Sequence, residues 1–166
     1  MSRKRNGGVK FISHGTVSEN RRARYEYSIE SAIDAGLVLV GSEVKSLRLG
    51  RCTITECYAG LQKNEFYLFN AYIPEYQGGA NLHFGHEARR PRKLLLHRRE
   101  IRRLYGVIAR SGMTLVPLVV YFNNRGLAKV RLGLARGRKL MDKRDLKKKR
   151  DWQREKARVL RDKNHY

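Results

Sequence analysis

The sequence predicts a mainly β protein: a small antiparallel β-barrel of the oligonucleotide-binding type, with flanking short helices and a basic C-terminal tail. Short β-branched and aromatic runs follow one another with turn residues between them. Helical spacing is confined to short segments until the composition changes after Ala135, where Lys and Arg crowd a stretch with few apolar residues. The 166 residues suffice for one domain with a core and are too few for two ordinary ones.

Residues 1–19 read as a flexible basic arm, polar and Gly-containing at Asn6-Gly7-Gly8, with order expected from Asn20. Tyr25, Tyr27 and Ile29 alternate with Glu26, Ser28 and Glu30, so a half-buried strand is expected from Tyr25 to Ile33. Asp34-Ala35-Gly36 reads as a turn, and Leu37-Val38-Leu39-Val40 as a second, more buried strand. Ser42 is placed to cap a short helix that Gly50 ends. On that helix Val44 and Leu47 face inward while Lys45 and Arg48 form a basic ridge.

Tyr58 to Lys63 and Glu65 to Ile73 read as two strands joined tightly at Asn64. An irregular loop is expected from Gln77-Gly78-Gly79 to Pro91. Beyond His97, the residues Ile101, Leu104, Tyr105 and Ile108 recur at helical spacing, opposite Arg98, Arg99, Arg102 and Arg103. Met113 to Phe122 is a strand in which Pro117 signals an edge or a bulge. After a turn at Asn123-Asn124-Arg125-Gly126, Ala128, Val130, Leu132 and Leu134 face one way, with Lys129 and Arg131 on the other side. Most strand aromatics are expected to fill the barrel rather than stack on bases.

The charge points to a partner. Lys and Arg number 37 against 15 Asp and Glu, a formal net charge of +22. Self-repulsion on that scale opposes compaction, and a polyanion relieves it. Nucleic acid fits best, because basic side chains on phosphates release counterions. Arg21, Arg22 and Arg24, then Arg89 to Lys93, then Lys129 with Arg131, cluster tightly enough to be read as phosphate contacts.

Other classes find no support. No apolar run nears the ~20 residues of a membrane span, and no hydrophobic stretch follows Met1-Ser2-Arg3-Lys4-Arg5, so neither a membrane partner nor a secretory leader is expected. Cys52 and Cys57 read as free thiols of a reducing cytosol. There is no Gly-rich phosphate loop and no nucleophile elbow, and Glu43 and Glu56 have no evident partner, so the chain reads as no enzyme. His83 and His86 lack a second ligand pair, so they are expected to touch phosphate or water rather than a metal. No cofactor or small-molecule ligand is expected.

The motifs carry the reading further. Asn20-Arg21-Arg22-Ala23-Arg24-Tyr25-Glu26-Tyr27, Gly41-Ser42-Glu43-Val44-Lys45-Ser46-Leu47-Arg48, Arg92-Lys93-Leu94-Leu95-Leu96-His97 and Leu134-Ala135-Arg136-Gly137-Arg138-Lys139 occur in that order, followed by Asp142-Lys143-Arg144. Together they make a set that resembles the SsrA-binding protein (small protein B) family from about residue 20 to the end. The resemblance implies a cytoplasmic bacterial adaptor, monomeric on its RNA, for trans-translation. Such an adaptor binds the tRNA-like domain of transfer-messenger RNA and delivers it to ribosomes stalled without a stop codon. It assigns RNA contacts to Asn20, Asp34, Leu95 and Lys129, with Asp34 shorter than the Glu usual there and Leu95 expected to hold its loop. Beside these, Arg21, Arg22, Arg24, Lys45, Arg48, Arg92, Lys93 and Arg131 are candidate RNA contacts. A barrel over 20–136 would hold the RNA.

The tail, 137–166, would be disordered when free and helical in the empty mRNA channel of the small subunit near the decoding centre. Its expected contacts are Gly137 as a flexible junction, Arg138, Lys139, Asp142 as a helix cap, Lys143, Arg144 and Trp152. Ala88 and Met141 depart from the residues usual in that family.

Overall fold

The computed structural model describes residues 11–76 and 85–163, with four helices and a seven-stranded antiparallel sheet. The expected features at Asn6-Gly7-Gly8, His83 and most of the loop from Gln77 lie outside the described residues. Strands β1 (Gly15–Glu19), β2 (Tyr27–Leu37), β3 (Tyr58–Gln62), β4 (Glu65–Phe69), β5 (Arg92–Leu95), β6 (Thr114–Phe122) and β7 (Ala128–Gly137) run in the order β1-β6-β3-β4-β5-β2-β7. A further β6–β7 pairing closes six of them into a ring, to which β1 adds at β6. Closure leaves the ring no free edge.

The helices α1 (Ala23–Glu26), α2 (Gly41–Arg48), α3 (Arg98–Ser111) and α4 (Leu140–Lys163) lie between strands or after them. The core fills the ring with Phe66, Leu68, Leu94, Leu115, Val120, Phe122, Val130 and Leu132, and Leu47 of α2 plus Leu104 of α3 pack against it. The alternation read from Ala128 to Leu134 is the one observed, since Val130 and Leu132 are buried and Arg131 between them is exposed. No helix among the described residues is long and apolar enough to cross a membrane.

Several local expectations are corrected. Asp34-Ala35-Gly36 is not a turn: β2 runs unbroken through it to Leu37, with its irregularity between Ile29 and Ser31 instead. Tyr25 and Glu26 belong to the short α1, and 38–40 carry no strand. The arm contains β1, held on β6 from Gly15↔Phe122 to Glu19↔Val119. Pro117 marks a bulge, since the register with β7 shifts between Pro117 and Val119. Ser42 does not cap α2. The Val40 N–H donates to Glu43 Oε2 at 2.9 Å, and the Ser42 hydroxyl lies 2.8 Å from His86 Nδ1. Gly50 does terminate α2, in the left-handed region at φ 73° that favours glycine.

The tightest tertiary constraint is ionic. Glu43 and Arg92 are both 0% exposed. Glu43 Oε1 accepts from Arg92 Nε and from Arg90 Nε, each at 2.8 Å. Arg92 also donates to the carbonyls of Ala71, Arg90 and Ala88, so its guanidinium is satisfied on several sides. Burial alone would raise the Glu43 carboxyl. The hydrogen bonds from Arg90, the Val40 amide and Arg92 outweigh it and hold Glu43 below the usual carboxylate range. Thus α2 is tied to the start of β5.

Removing one member of such a cluster strands the others in a dry site. The Glu43→Gln variant is expected to lose about 3–5 kcal/mol, seen as a lower urea midpoint. In the parent chain the Glu43 contribution is complete above the ordinary carboxylate pKa and is lost as pH falls through its lowered folded-state value. Urea titrations at descending pH should show parent stability falling toward that of Glu43→Gln in acid.

Candidate nucleic-acid interface

Strand β2 assembles the site. Its register sets Asp34 opposite Arg131 and Gly36 opposite Lys129 on one side, and Gly36 opposite Leu95 on the other. A strand alternates its faces, so Asp34 and Gly36 share one side with Lys129 and Arg131 of β7 and Lys93 and Leu95 of β5. Residues far apart in sequence thereby form one outward patch. Gly36 allows a close approach there: a Cβ would come within 3.2 Å of the Leu95 Cβ, so that Leu95 would have to shift by a few tenths of an ångström.

The patch has ordered charge. Asp34 receives Arg131 through both carboxylate oxygens, at 2.9 and 3.2 Å, and the guanidinium lies 5.8 Å from the Tyr121 ring centroid. The hydrogen bond to Asp34 raises the Arg131 pKa further. Lys93 Nζ sits 2.7 Å from Glu65 Oε2, and that contact raises the Lys93 pKa. Lys129 has no ion-pair partner among the described residues. Between this patch and α3 lies a groove of about 500 Å³, bordered by Asp34, Lys93, Leu95 and Lys129 on one side and Arg98 and Glu100 on the other.

Other predicted contacts lie elsewhere. Arg21 and Arg24 are exposed, Arg21 3.8 Å from Glu19, and Arg22 pairs with Glu26 at 2.8 Å. Lys45 lies over the Tyr76 ring at 5.4 Å and Arg48 over the Phe122 ring at 5.8 Å, on α2. Two predicted contacts are corrected outright because they face inward. Arg92 is the buried partner of Glu43, with no surface to offer an RNA. Asn20, only 4% exposed, donates through Nδ2 to the Ile54 carbonyl at 3.2 Å and accepts the Ala23 N–H at 3.1 Å. Leu95 does not brace a loop: it is a strand residue, 55% exposed.

Histidine and glutamate readings also change. His86 is buried, with Nε2 2.9 Å from the Ile73 carbonyl, so it neither touches phosphate nor faces solvent. Because a carbonyl only accepts, that nitrogen carries the proton. Glu43, read as partnerless, anchors two arginines. Both cysteines are free, and burial pushes each thiol up to about 12. Among the described residues, no group of His, Cys, Asp and Glu could hold a metal.

At the barrel's end, Gly137 closes β7 opposite Tyr27. Arg138 is fastened there, its N–H donating to the Glu26 carbonyl and its Nε to that of Tyr27, both at 3.0 Å. Lys139 is exposed, and α4 begins at Leu140. Asp142 and Lys143 fall in the first turn of α4, so Asp142 stands inside the helix rather than at its cap; their side chains lie outside the described residues. Arg144 and Trp152 are exposed on α4, with Lys156 Nζ 5.3 Å above the indole.

A closed antiparallel barrel with an ordered cationic patch and a basic terminal helix defines a nucleic-acid-binding protein. The comparisons specify which. The family described as SmpB protein matches residues 17–162. The chain belongs to that family.

The SsrA-binding protein of Rhodospirillum rubrum is 62% identical over 94% of this chain and 97% of its own length. That of Paramagnetospirillum magneticum is 58% identical over 89% and 95%. A solved structure reported as "tmRNA-SmpB: a journey to the center of the bacterial ribosome" superposes with a TM-score of 0.61 and 51% identity, covering 74% of this chain and 85% of that one.

The inward and outward assignments make opposite predictions. The Asn20→Ala variant is expected to lose about 1–3 kcal/mol, because the Ala23 N–H and the Ile54 carbonyl lose a buried partner. The Asp34→Asn variant disturbs an exposed ion pair and its neighbouring Tyr121 contact, and should stay within about 1 kcal/mol of the parent. Denaturant titration of both variants checks the contrast.

Proposed function

We propose that this chain is the RNA-binding adaptor of trans-translation. Its barrel holds the tRNA-like domain of transfer-messenger RNA, and its tail enters the empty mRNA channel of a ribosome stalled without a stop codon. The carrying observation is the convergence of Asp34, Leu95 and Lys129 on one outward patch through the two pairings of β2. Those are three of the four positions that family resemblance assigns to RNA, and the fourth, Asn20, supports the barrel from within. The names of the relatives, SsrA-binding proteins, and of the tmRNA-SmpB structure point to the same partner and to the ribosome.

The chemistry is recognition, not catalysis, and the place of action is the cytoplasm with the ribosome. Lys129 offers an ammonium to a backbone phosphate. Asp34 and Glu65 orient Arg131 and Lys93 before any RNA arrives, which lowers the ordering cost of binding. Exposed Leu95 supplies apolar contact between these charges. The tail acts separately. Its described side chains are exposed apart from Arg138, and Arg150 lies 5.9 Å over the Tyr25 ring of α1. Apolar residues are sparse in its sequence, so the helix forms fully only against ribosomal RNA.

The test separates the two parts. Removing residues from Lys139 onward, which spares the fastened Arg138, should leave affinity for the tRNA-like domain within about threefold while abolishing rescue of stalled ribosomes. The Lys129→Glu variant should do the reverse first, weakening RNA binding by about tenfold or more, since reversing a charge adds repulsion to a lost phosphate contact. A truncated chain that loses RNA affinity as severely would contradict this division. Circular dichroism should show less helix in the free full-length chain than α1 to α4 together account for.

A further inference from the structure

The β3–β4 hairpin and α3 enclose a second groove, of about 460 Å³, lined by Leu61, Asn64, Arg98, Ile101, Arg102 and Tyr105. Its make-up differs from that of the Lys129 groove. There, cations alternate with Asp34, Glu65 and Glu100; here Arg98 and Arg102 lie one turn apart along one side of α3, with no carboxylate among the lining residues. Spacings of four and three residues set Arg98, Arg102 and Tyr105 on one stripe of the helix. Tyr105 is 57% exposed although it lies beside apolar Leu61 and Ile101, so a large ring stands open over an apolar floor. The hairpin brings Asn64 to the rim through a tight turn in which Lys63 and Asn64 both take left-handed backbone, φ 50° and 61°. For Lys63 that conformation carries strain, and such strain concentrates at binding sites.

We propose that this groove takes one unstacked nucleotide of the transfer-messenger RNA, its base stacked on Tyr105 and its flanking phosphates on Arg98 and Arg102. An aromatic face with two guanidiniums that have no carboxylate partner among the described residues matches a base between phosphates. The amide of Asn64 offers both a donor and an acceptor to the base edge. The two grooves share Arg98 and Ile101, so an RNA strand leaving Lys129 runs directly into this one. The inference rests on the reading above that the patch holds that RNA, and it adds a contact which that reading does not contain.

The test compares the full-length parent with Tyr105→Ala, Tyr105→Phe and Arg102→Gln, measuring affinity for the isolated tRNA-like domain across a salt series. The exposed positions should leave the thermal midpoint unchanged. Tyr105→Ala is expected to weaken binding at least about fivefold with its salt slope preserved, and Tyr105→Phe to keep the parent affinity, because a ring is all that stacking needs. Arg102→Gln should weaken binding and reduce the salt slope by about one. Parent binding with all three variants unchanged overturns the groove and leaves the Lys129 patch standing. Equal losses for Tyr105→Ala and Tyr105→Phe overturn stacking, and losses seen only on ribosomes overturn the assignment to this RNA. A parent chain that does not bind the tRNA-like domain overturns the reading on which the proposal rests.

Discussion

The buried carboxylate of Glu43 is the constraint on which the outer surface depends. It draws Arg92 fully inside at the first residue of β5. Successive strand residues face opposite ways, so an inward Arg92 and Leu94 force Lys93 and Leu95 outward. A slip of one residue would invert the whole set. Leu94 alone defines that parity weakly, because Leu95 and Leu96 are equally apolar neighbours in sequence. A guanidinium with one deep carboxylate and the Ala71, Arg90 and Ala88 carbonyls to satisfy has only one acceptable position. Buried ion pairs are often poor sources of net stability. This one supplies register, and the register places half of the outward patch.

That arrangement explains which parts of the molecule were readable beforehand. The start of β7, Ala128 to Leu132, and the helix beyond His97 show clean periodicity, because one face of each meets the core and the other meets solvent. Asp34-Ala35-Gly36 has the composition of a turn, yet it lies mid-strand. Asp34 is there for a cross-strand partner and Gly36 for the close approach of Leu95, and both reasons sit on other strands. Local pattern holds no trace of either. The same limit hid β1, whose few residues gain their conformation from pairing with β6.

The candidate contacts divide along the same line. Lys129, Arg131, Lys93 and Asp34 were legible as outward residues of their strands, because charge reports solvent directly. Arg92 and Asn20 were misplaced because charge and amide groups are normally signs of a surface. Their true partners are Glu43, 49 residues from Arg92, and Ile54, 34 residues from Asn20, distances over which a single sequence carries no pairing signal. A position matched to a family can therefore matter to RNA binding without touching RNA, by shaping the wall behind it.

Seen as electrostatics, the surface separates charges already spoken for from charges still open. Arg131 and Lys93 are held by Asp34 and Glu65, which orient them and also repel any phosphate placed on the carboxylate side. Lys129, Arg98 and Arg102 have no carboxylate partner among the described residues, so a polyanion gains most by lying along them. Acids in a basic interface thus do more than lower its net charge. They exclude backbone paths that uniform positive charge would tolerate, converting a general attraction for phosphate into a preferred track from Lys129 toward α3. The tail, with sparse acids among many Lys and Arg, lacks such exclusions and suits a partner whose channel walls already set the path.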